Sequence, residues 1–174
     1  RVRSSIASRL GLSTQGLPIP DHYTEGVVEV MMDAIKNFDK VLTKDRLCDW
    51  HAALFPTGRS GMYKISVAEY RQGEEPMQIV SGAMGHEKVH YEAPSSSVVS
   101  HEMNLFLEWI NKTCDIDPVI KAAIAHLWFV AIHPFDDGNG RLTRTITDMM
   151  LSRSDGQRLR FYSMSAEIMR KRNS

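Results

Sequence analysis

The chain has 174 residues, 43% of them apolar and 24% charged, the make-up of one soluble globular domain that needs no staple to fold. Its 21 Lys and Arg balance its 21 Asp and Glu, so it lacks the basic excess of a general nucleic-acid binder or an anionic-membrane surface, while a local basic pocket remains compatible with that balance. Cys48 and Cys114 stand alone, outside any C-x-x-C or Cys–His cluster, which argues against a disulfide framework and a structural zinc site and for a reducing compartment.

In chain order, Arg1-Val2-Arg3-Ser4 carries neither an initiator Met nor an apolar signal core, so the chain reads as a cytoplasmic fragment of a longer protein. From about Thr24, the residues Val27, Met31, Ala34, Ile35 and Phe38 recur at three- and four-residue spacing and predict one buried helix face. Thr43 is the expected N-cap of a second helix carrying Leu47, Trp50, His51 and Leu54. Pro56, Gly58 and Gly61 then break the pattern.

Tyr63, Ile65 and Val67 alternate with Lys64 and Ser66 and predict a short strand. Met77–Val80 and Lys88–Tyr91 flank the small residues 81–85 and predict a β-hairpin. Pro94 and Ser95–Ser97 open a helix through Val99, Met103, Phe106, Leu107 and Ile110. Asp117-Pro118 is an N-cap followed by a proline in the first turn. Its helix is apolar nearly all round and is therefore expected at the centre of the domain. It must stop before Pro134, and a last helix is predicted from Asn139 to just before Ser154. The longest apolar run, Ala122–Ile132, is too short to span a bilayer. The predicted architecture is one mostly α domain with a small hairpin.

The run His133-Pro134-Phe135-Asp136-Asp137-Gly138-Asn139-Gly140-Arg141-Leu142-Thr143-Arg144 concentrates the chemistry. Glycines on either side of Asn139 let backbone amides approach a ligand. Where they open a helix, the unpaired N–H groups and the helix dipole make an anion site. Arg141 and Arg144 are three apart, hence on one face of that helix, and two guanidinium forks suit a di- or triphosphate. Asp137 suits Mg²⁺, which takes one or two carboxylates plus phosphate oxygens. His133 is the group suited to accept a proton near neutral pH. These parts describe transfer of a phosphorus-containing group to a hydroxyl and leave phosphoryl and nucleotidyl transfer both open.

The same run resembles the Fic family motif H-P-F-x-[DE]-G-N-G-R-x-x-R at every defined position. Trp50–Phe55, Val89–Pro94 and Phe161–Ser165 look like a bacterial Fic subgroup with an additional N-terminal domain. The resemblance implies a single Fic domain over residues 1–174, with 1–10 the end of an upstream helix, 78–92 a target-binding flap and 133–144 the active-site loop and helix start. It implies a protein adenylyltransferase that moves AMP from Mg²⁺-ATP to a Ser, Thr or Tyr hydroxyl of a target protein. His133 would take the hydroxyl proton and Asp137 would hold Mg²⁺ on the α- and β-phosphates. Asn139 would contact the α-phosphate, the amides of Gly138 and Gly140 would form the anion hole, and Arg141 and Arg144 would hold the distal phosphates. Phe135 would be buried beneath the loop. Val89 and His90 would lie on the flap edge that pairs with the target; neither a membrane nor nucleic acid is an expected partner of this domain.

Simpler readings compete at several positions. His126 could pair with His133 on a metal but reads as a satisfied core histidine, and Asp136 reads as a solvent-facing loop residue. His101-Glu102 begins like a zinc-protease motif without its second histidine. Arg170–Arg172 reads as a solvated helix end. Rival functions on the same loop are removal of AMP from a modified protein and non-catalytic nucleotide sensing. Phosphorylation and phosphocholine transfer fit less well, since those relatives depart from the intact Gly138–Arg141 core. Many relatives are restrained by a helix with the pattern [ST]-x-x-x-E-[GN], whose glutamate pairs with the second motif arginine, here Arg144. Glu25-Gly26 is preceded four residues earlier by Asp21, so Glu25 reads as a polar residue near a helix start, and such a restraining helix is expected upstream of Arg1.

Overall fold

The computed structural model describes residues 2–74, 77–81, 86, 88–156 and 170–171. Among them run helices α1 (Val2–Arg9), α2 (His22–Lys36) and α3 (Lys44–Leu54), then strands β1 (Arg59–Ser60), β2 (Tyr63–Lys64), β3 (Gln78–Ser81) and β4 (Lys88–Glu92). Helices α4 (Ser96–Asn111), α5 (Pro118–Ile132) and α6 (Asn139–Asp155) follow. The mostly α domain with a β-hairpin is thus observed. Strands β3 and β4 pair antiparallel, with Gln78 opposite Glu92 and Ser81 opposite Lys88, and β1–β2 form a second, two-residue ribbon that the sequence does not announce.

Local signals set most helix ends. The Asp21 carboxylate accepts from the Thr24 amide at 2.7 Å, and the Thr43 hydroxyl accepts from the Arg46 amide at 3.1 Å. Asp117 accepts from the amides of Val119 and Ile120 ahead of α5, as its D-P pair predicts. Gly156 closes α6 in the left-handed conformation.

The core gathers Leu47, Trp50 and Leu54 of α3, Val99, Met103, Phe106 and Ile110 of α4, Phe129 and Ile132 of α5, and Leu142, Ile146 and Met149 of α6. Helix α6, not α5, is the buried centre. It carries ten buried residues, three of them threonines, which its composition conceals. Thr143, Thr145 and Thr147 each donate to the carbonyl four residues back, at 2.8, 3.1 and 2.8 Å, so their hydroxyls enter the core already satisfied. Helix α5 buries only Ala122, Ala125, Phe129 and Ile132 and leaves Leu127 71% exposed, with Val119, Ile120 and Ile124 also exposed. An apolar sequence permits burial on every side, but among the described residues neighbours cover only one side of α5.

Two other expectations change. Helix α2 buries Gly26, Val28, Val30 and Ala34, while Met31 faces out. The reason is Gly26, where a β-carbon would lie 1.8 Å from the Ala53 carbonyl oxygen, so the face carrying the smallest residue turns toward α3. The strand expected over 63–67 is limited to β2, and Ile65 and Val67 instead pack against the core from a loop. Residues 161–165, 82–85 and 172, which the sequence reading drew on, lie outside the described residues.

Candidate active site

The site starts where α5 ends. His133 caps α5 with φ 51° and ψ 59°, a left-handed backbone that costs a non-glycine residue about 1–2 kcal/mol. Pro134 disfavours continuing the helix, and the surroundings hold the alternative in place. The His133 amide donates to the Phe129 carbonyl at 3.1 Å, and its own carbonyl accepts from Arg71 Nε at 2.8 Å. Burial holds the imidazole below its ordinary pKa, against a hydrogen bond to the Val130 backbone; Arg71 pushes the same way as burial and Asp137 the opposite way. The ring is therefore neutral near pH 7 and able to accept a proton.

The loop that follows is built on Phe135, which is fully buried. It stacks on His51 at 4.2 Å between centroids and meets Tyr70 edge-on at 5.5 Å. Asn139 closes the turn, with Oδ1 accepting from the Phe135 amide at 3.0 Å and Nδ2 donating to the Phe135 carbonyl at 2.7 Å. The buried Asn139 side chain thus holds the loop through both of its amide atoms, with one Nδ2 hydrogen left beyond these two bonds. Gly138 precedes α6 at φ 83°, and a β-carbon there would lie 2.8 Å from the Phe55 ring. Both facts require glycine.

Asp137 is half exposed. It accepts from the Ser60 hydroxyl, and from the Gly138 amide at 2.5 Å. Burial alone would raise its carboxyl; these hydrogen bonds, with Arg141 at 3.6 Å, outweigh it and hold the carboxyl below its ordinary value, so it is ionised at neutral pH. The Gly138 amide thereby donates to Asp137. Among the described residues the first-turn amides of Asn139 and Gly140 have no backbone acceptor, since the chain's hydrogen bonds resume with Arg141 and Leu142 donating to the Gly138 carbonyl.

Arg141 is caged. Its guanidinium lies 4.6 Å from the centre of the Phe55 ring and 5.3 Å from that of Tyr23, and donates to the Tyr23 hydroxyl at 3.0 Å. Arg144 sits one turn on and is exposed, with Gly140 alongside its guanidinium. Tyr23, Phe55, Thr57, Arg59, Asp137 and Arg141 line a cleft of about 400 Å³ on this face.

The structure thus brings His133, Asp137, Gly138, Asn139, Gly140, Arg141 and Arg144 into one turn and helix start. Val89 and His90 lie on β4 of the hairpin, where both are exposed and His90 Nε2 lies 2.5 Å from the Ser81 hydroxyl. The hairpin is moored to the end of α5 by the Tyr91 hydroxyl, which donates to the Ala131 carbonyl at 2.9 Å. Phe135 and Asp136 behave as expected, the latter exposed while accepting from the Ser66 amide at 2.9 Å. His126 is a satisfied histidine. Thr147 already donates to Thr143, so its oxygen accepts from His126 Nδ1 at 3.0 Å.

Sequence reasoning missed His51, Ser60, Arg71 and Tyr23 as members of the site. His51 links the Asp137 carbonyl to the Ala68 amide, each at 3.1 Å. A histidine on the apolar face of a predicted helix was the one available signal; the other three carry none. No group of three or more His, Cys, Asp or Glu able to hold a metal occurs among the described residues, and none of their helices is long and apolar enough to cross a membrane.

A model of the Fic/DOC family matches residues 41–151. The chain is 40% identical over 62 residues to the protein adenylyltransferase fic-1 of Caenorhabditis elegans, a match covering 34% of this chain and 12% of that protein. It is 36% identical over 61 residues to a probable protein adenylyltransferase of Aquifex aeolicus, covering 35% of this chain and 19% of that one. The match therefore spans less than a fifth of either relative. Among solved structures, a Fic domain-containing signaling protein from Bacteroides thetaiotaomicron superposes with a TM-score of 0.61 at 22% identity, over 86% of this chain and 55% of that one. Fic-1 of C. elegans superposes with a TM-score of 0.54 at 20% identity, over 87% and 42% respectively. At such identity these likenesses show the fold.

Proposed function

Because the chain belongs to the Fic/DOC family, we propose that it is a protein adenylyltransferase, moving AMP from ATP to a hydroxyl side chain of a target protein. The observation that carries this reading is local. A neutral imidazole at the end of α5 and two amides at the start of α6 that have no backbone acceptor among the described residues belong to one turn of chain, with an ionised carboxylate between them in sequence.

In the proposed reaction the target hydroxyl oxygen attacks the α-phosphorus, its proton passes to His133, and the bond to the β-phosphate breaks to release pyrophosphate. The amides of Asn139 and Gly140, at the positive end of α6, hold the phosphate oxygens as negative charge develops. Arg141, held by Tyr23 and Phe55, and Arg144 take the distal phosphates, so little chain ordering is needed when the nucleotide binds. Asp137 fits the protein's share of a Mg²⁺ site, being one ionised carboxylate with lone pairs left beyond its two hydrogen bonds, which suits an ion that takes its other ligands from phosphate and water. Bound there, the ion would supply charge neutralisation. The hairpin is the docking edge for the target. Each of its two strands pairs only with the other among the described residues, which leaves an edge with backbone groups to offer an extended peptide at Val89 and His90.

The test is incubation with α-labelled ATP and a lysate, comparing the chain with His133→Ala. Label on protein that falls about 10²- to 10⁴-fold in the variant, with nucleotide affinity kept, supports the reading. Nucleotide bound without label would make the domain a sensor, and loss of label from a pre-modified protein would make it a de-AMPylating enzyme.

A further inference from the structure

Arg71 is buried to 3% exposure, has no carboxylate partner within ion-pair distance among the described residues, and lies outside the family motif. What it touches is backbone. Its Nε donates to the His133 carbonyl at 2.8 Å, and its Nη2 donates to the Pro94 carbonyl and, at 3.4 Å, to the Ile132 carbonyl. Its own amide donates to the Pro134 carbonyl at 2.9 Å. With the Tyr91–Ala131 bond, the four consecutive carbonyls from Ala131 to Pro134 are all claimed by two residues that flank or form the hairpin.

We propose that Arg71 is a positioning residue for the reaction, one guanidinium fork that fixes the left-handed backbone of His133 and ties the catalytic histidine to the exit of the β3–β4 hairpin. The inference rests on the proposed role of His133 as the base.

Three observations point the same way. A buried cation whose one acidic neighbour among the described residues, Asp136, lies beyond ion-pair distance is an expensive way to fill space, and a methionine would fill it at lower cost. Among the described residues the buried Arg71 Nη1 has no hydrogen-bond partner, while the other two nitrogens are held by backbone carbonyls. The fork also satisfies carbonyls at the negative end of α5, where a cation is favoured and where a lysine, with a single nitrogen, could not reach the Pro94, Ile132 and His133 oxygens in the same geometry. Among the described residues the charged groups acting on His133 are Arg71 and Asp137, of opposite sign, so the fork's charge also bears on the imidazole's protonation.

The experiment uses the 174-residue chain, its Arg71→Met and Arg71→Lys variants, and two readouts. The first is the His133 imidazole titration by NMR, assigned with His133→Ala and independent of any activity. The second is single-turnover label transfer beside nucleotide affinity. Arg71→Met should move the His133 midpoint upward by about half a pH unit or more, since a nearby cation is removed. It should also slow transfer about 10- to 100-fold, the cost of a misplaced reacting group, with nucleotide affinity within threefold. Arg71→Lys should keep the midpoint and still lose rate. If Arg71→Met does not fold, Arg71→Lys decides alone, because a full wild-type rate there means that the fork is not needed. An unmoved midpoint in Arg71→Met, or nucleotide affinity that collapses with the rate, overturns the proposal. Should the parent chain transfer no label, the proposed function fails, while the titration still settles the Arg71–His133 relation.

Discussion

His51 and Asp137 are joined by a hydrogen bond whose direction is fixed by a third residue. The Ala68 amide can only donate, so His51 Nδ1 accepts, and Nε2 must carry the proton that it gives to the Asp137 carbonyl. The ring is fully buried, and burial holds its pKa below the ordinary 6.5. A second proton would remove the acceptor that Ala68 needs.

Acid should therefore loosen the domain in a window set by histidine. The unfolded chain takes up the proton near pH 6.5 and the folded one only at lower pH, so this contribution to stability is complete above 6.5 and lost as pH falls through the lowered folded value. His126 and His133 are lowered as well and add in the same direction. Urea unfolding between pH 7.5 and 5 should show stability falling toward the acid side, less steeply in His51→Gln. A flat profile would contradict the neutral assignment.

Asn139→Ala should be costly in both stability and activity. It strands the buried Phe135 amide and carbonyl, each at about 1–3 kcal/mol, and releases the turn that presents the α6 amides. Thermal melts and labelling should fall together, unlike His133→Ala, which should lose labelling with its melting temperature nearly kept.

Gly26→Ala should destabilise the packing of α2 on α3. Its β-carbon meets the Ala53 carbonyl, backbone that cannot swing aside, so α2 must lift from α3 at a cost of at least about 1–3 kcal/mol. The expected sign is a melting temperature lower by roughly 2–12 °C. An unchanged melt would mean that the two helices do not pack at Gly26.

Tyr23→Phe separates two contacts on Arg141, removing the hydrogen bond at 3.0 Å and leaving the ring at 5.3 Å. At about 0.5–1.5 kcal/mol for one hydrogen bond, KM for ATP should rise about 2- to 10-fold with kcat nearly kept. Tyr23→Ala should raise KM further. Equal KM in all three proteins would remove Tyr23 from the nucleotide site.

Local chemistry determined much of this from the sequence alone. Asp21, Thr43 and Asp117 cap their helices because a short acceptor side chain reaches back over its own turn. The segment from His133 to Arg144 becomes a turn and a helix start because Pro134, Gly138 and the spacing of the arginines act within a dozen residues. What the tertiary structure decided is who stands beside whom. Residue spacing could not say that the half-polar α6 lies at the centre while the apolar α5 faces water on one side, because threonines bonded to their own helix are cheap to bury and an apolar face needs a neighbour to cover it. Nor could it give Asn139 to Phe135, Gly138 to Asp137, or Arg71 to His133, 62 residues away. Each of those bonds depends on which donor the folded backbone brings within 3 Å, a distance that exists only once the helices have packed.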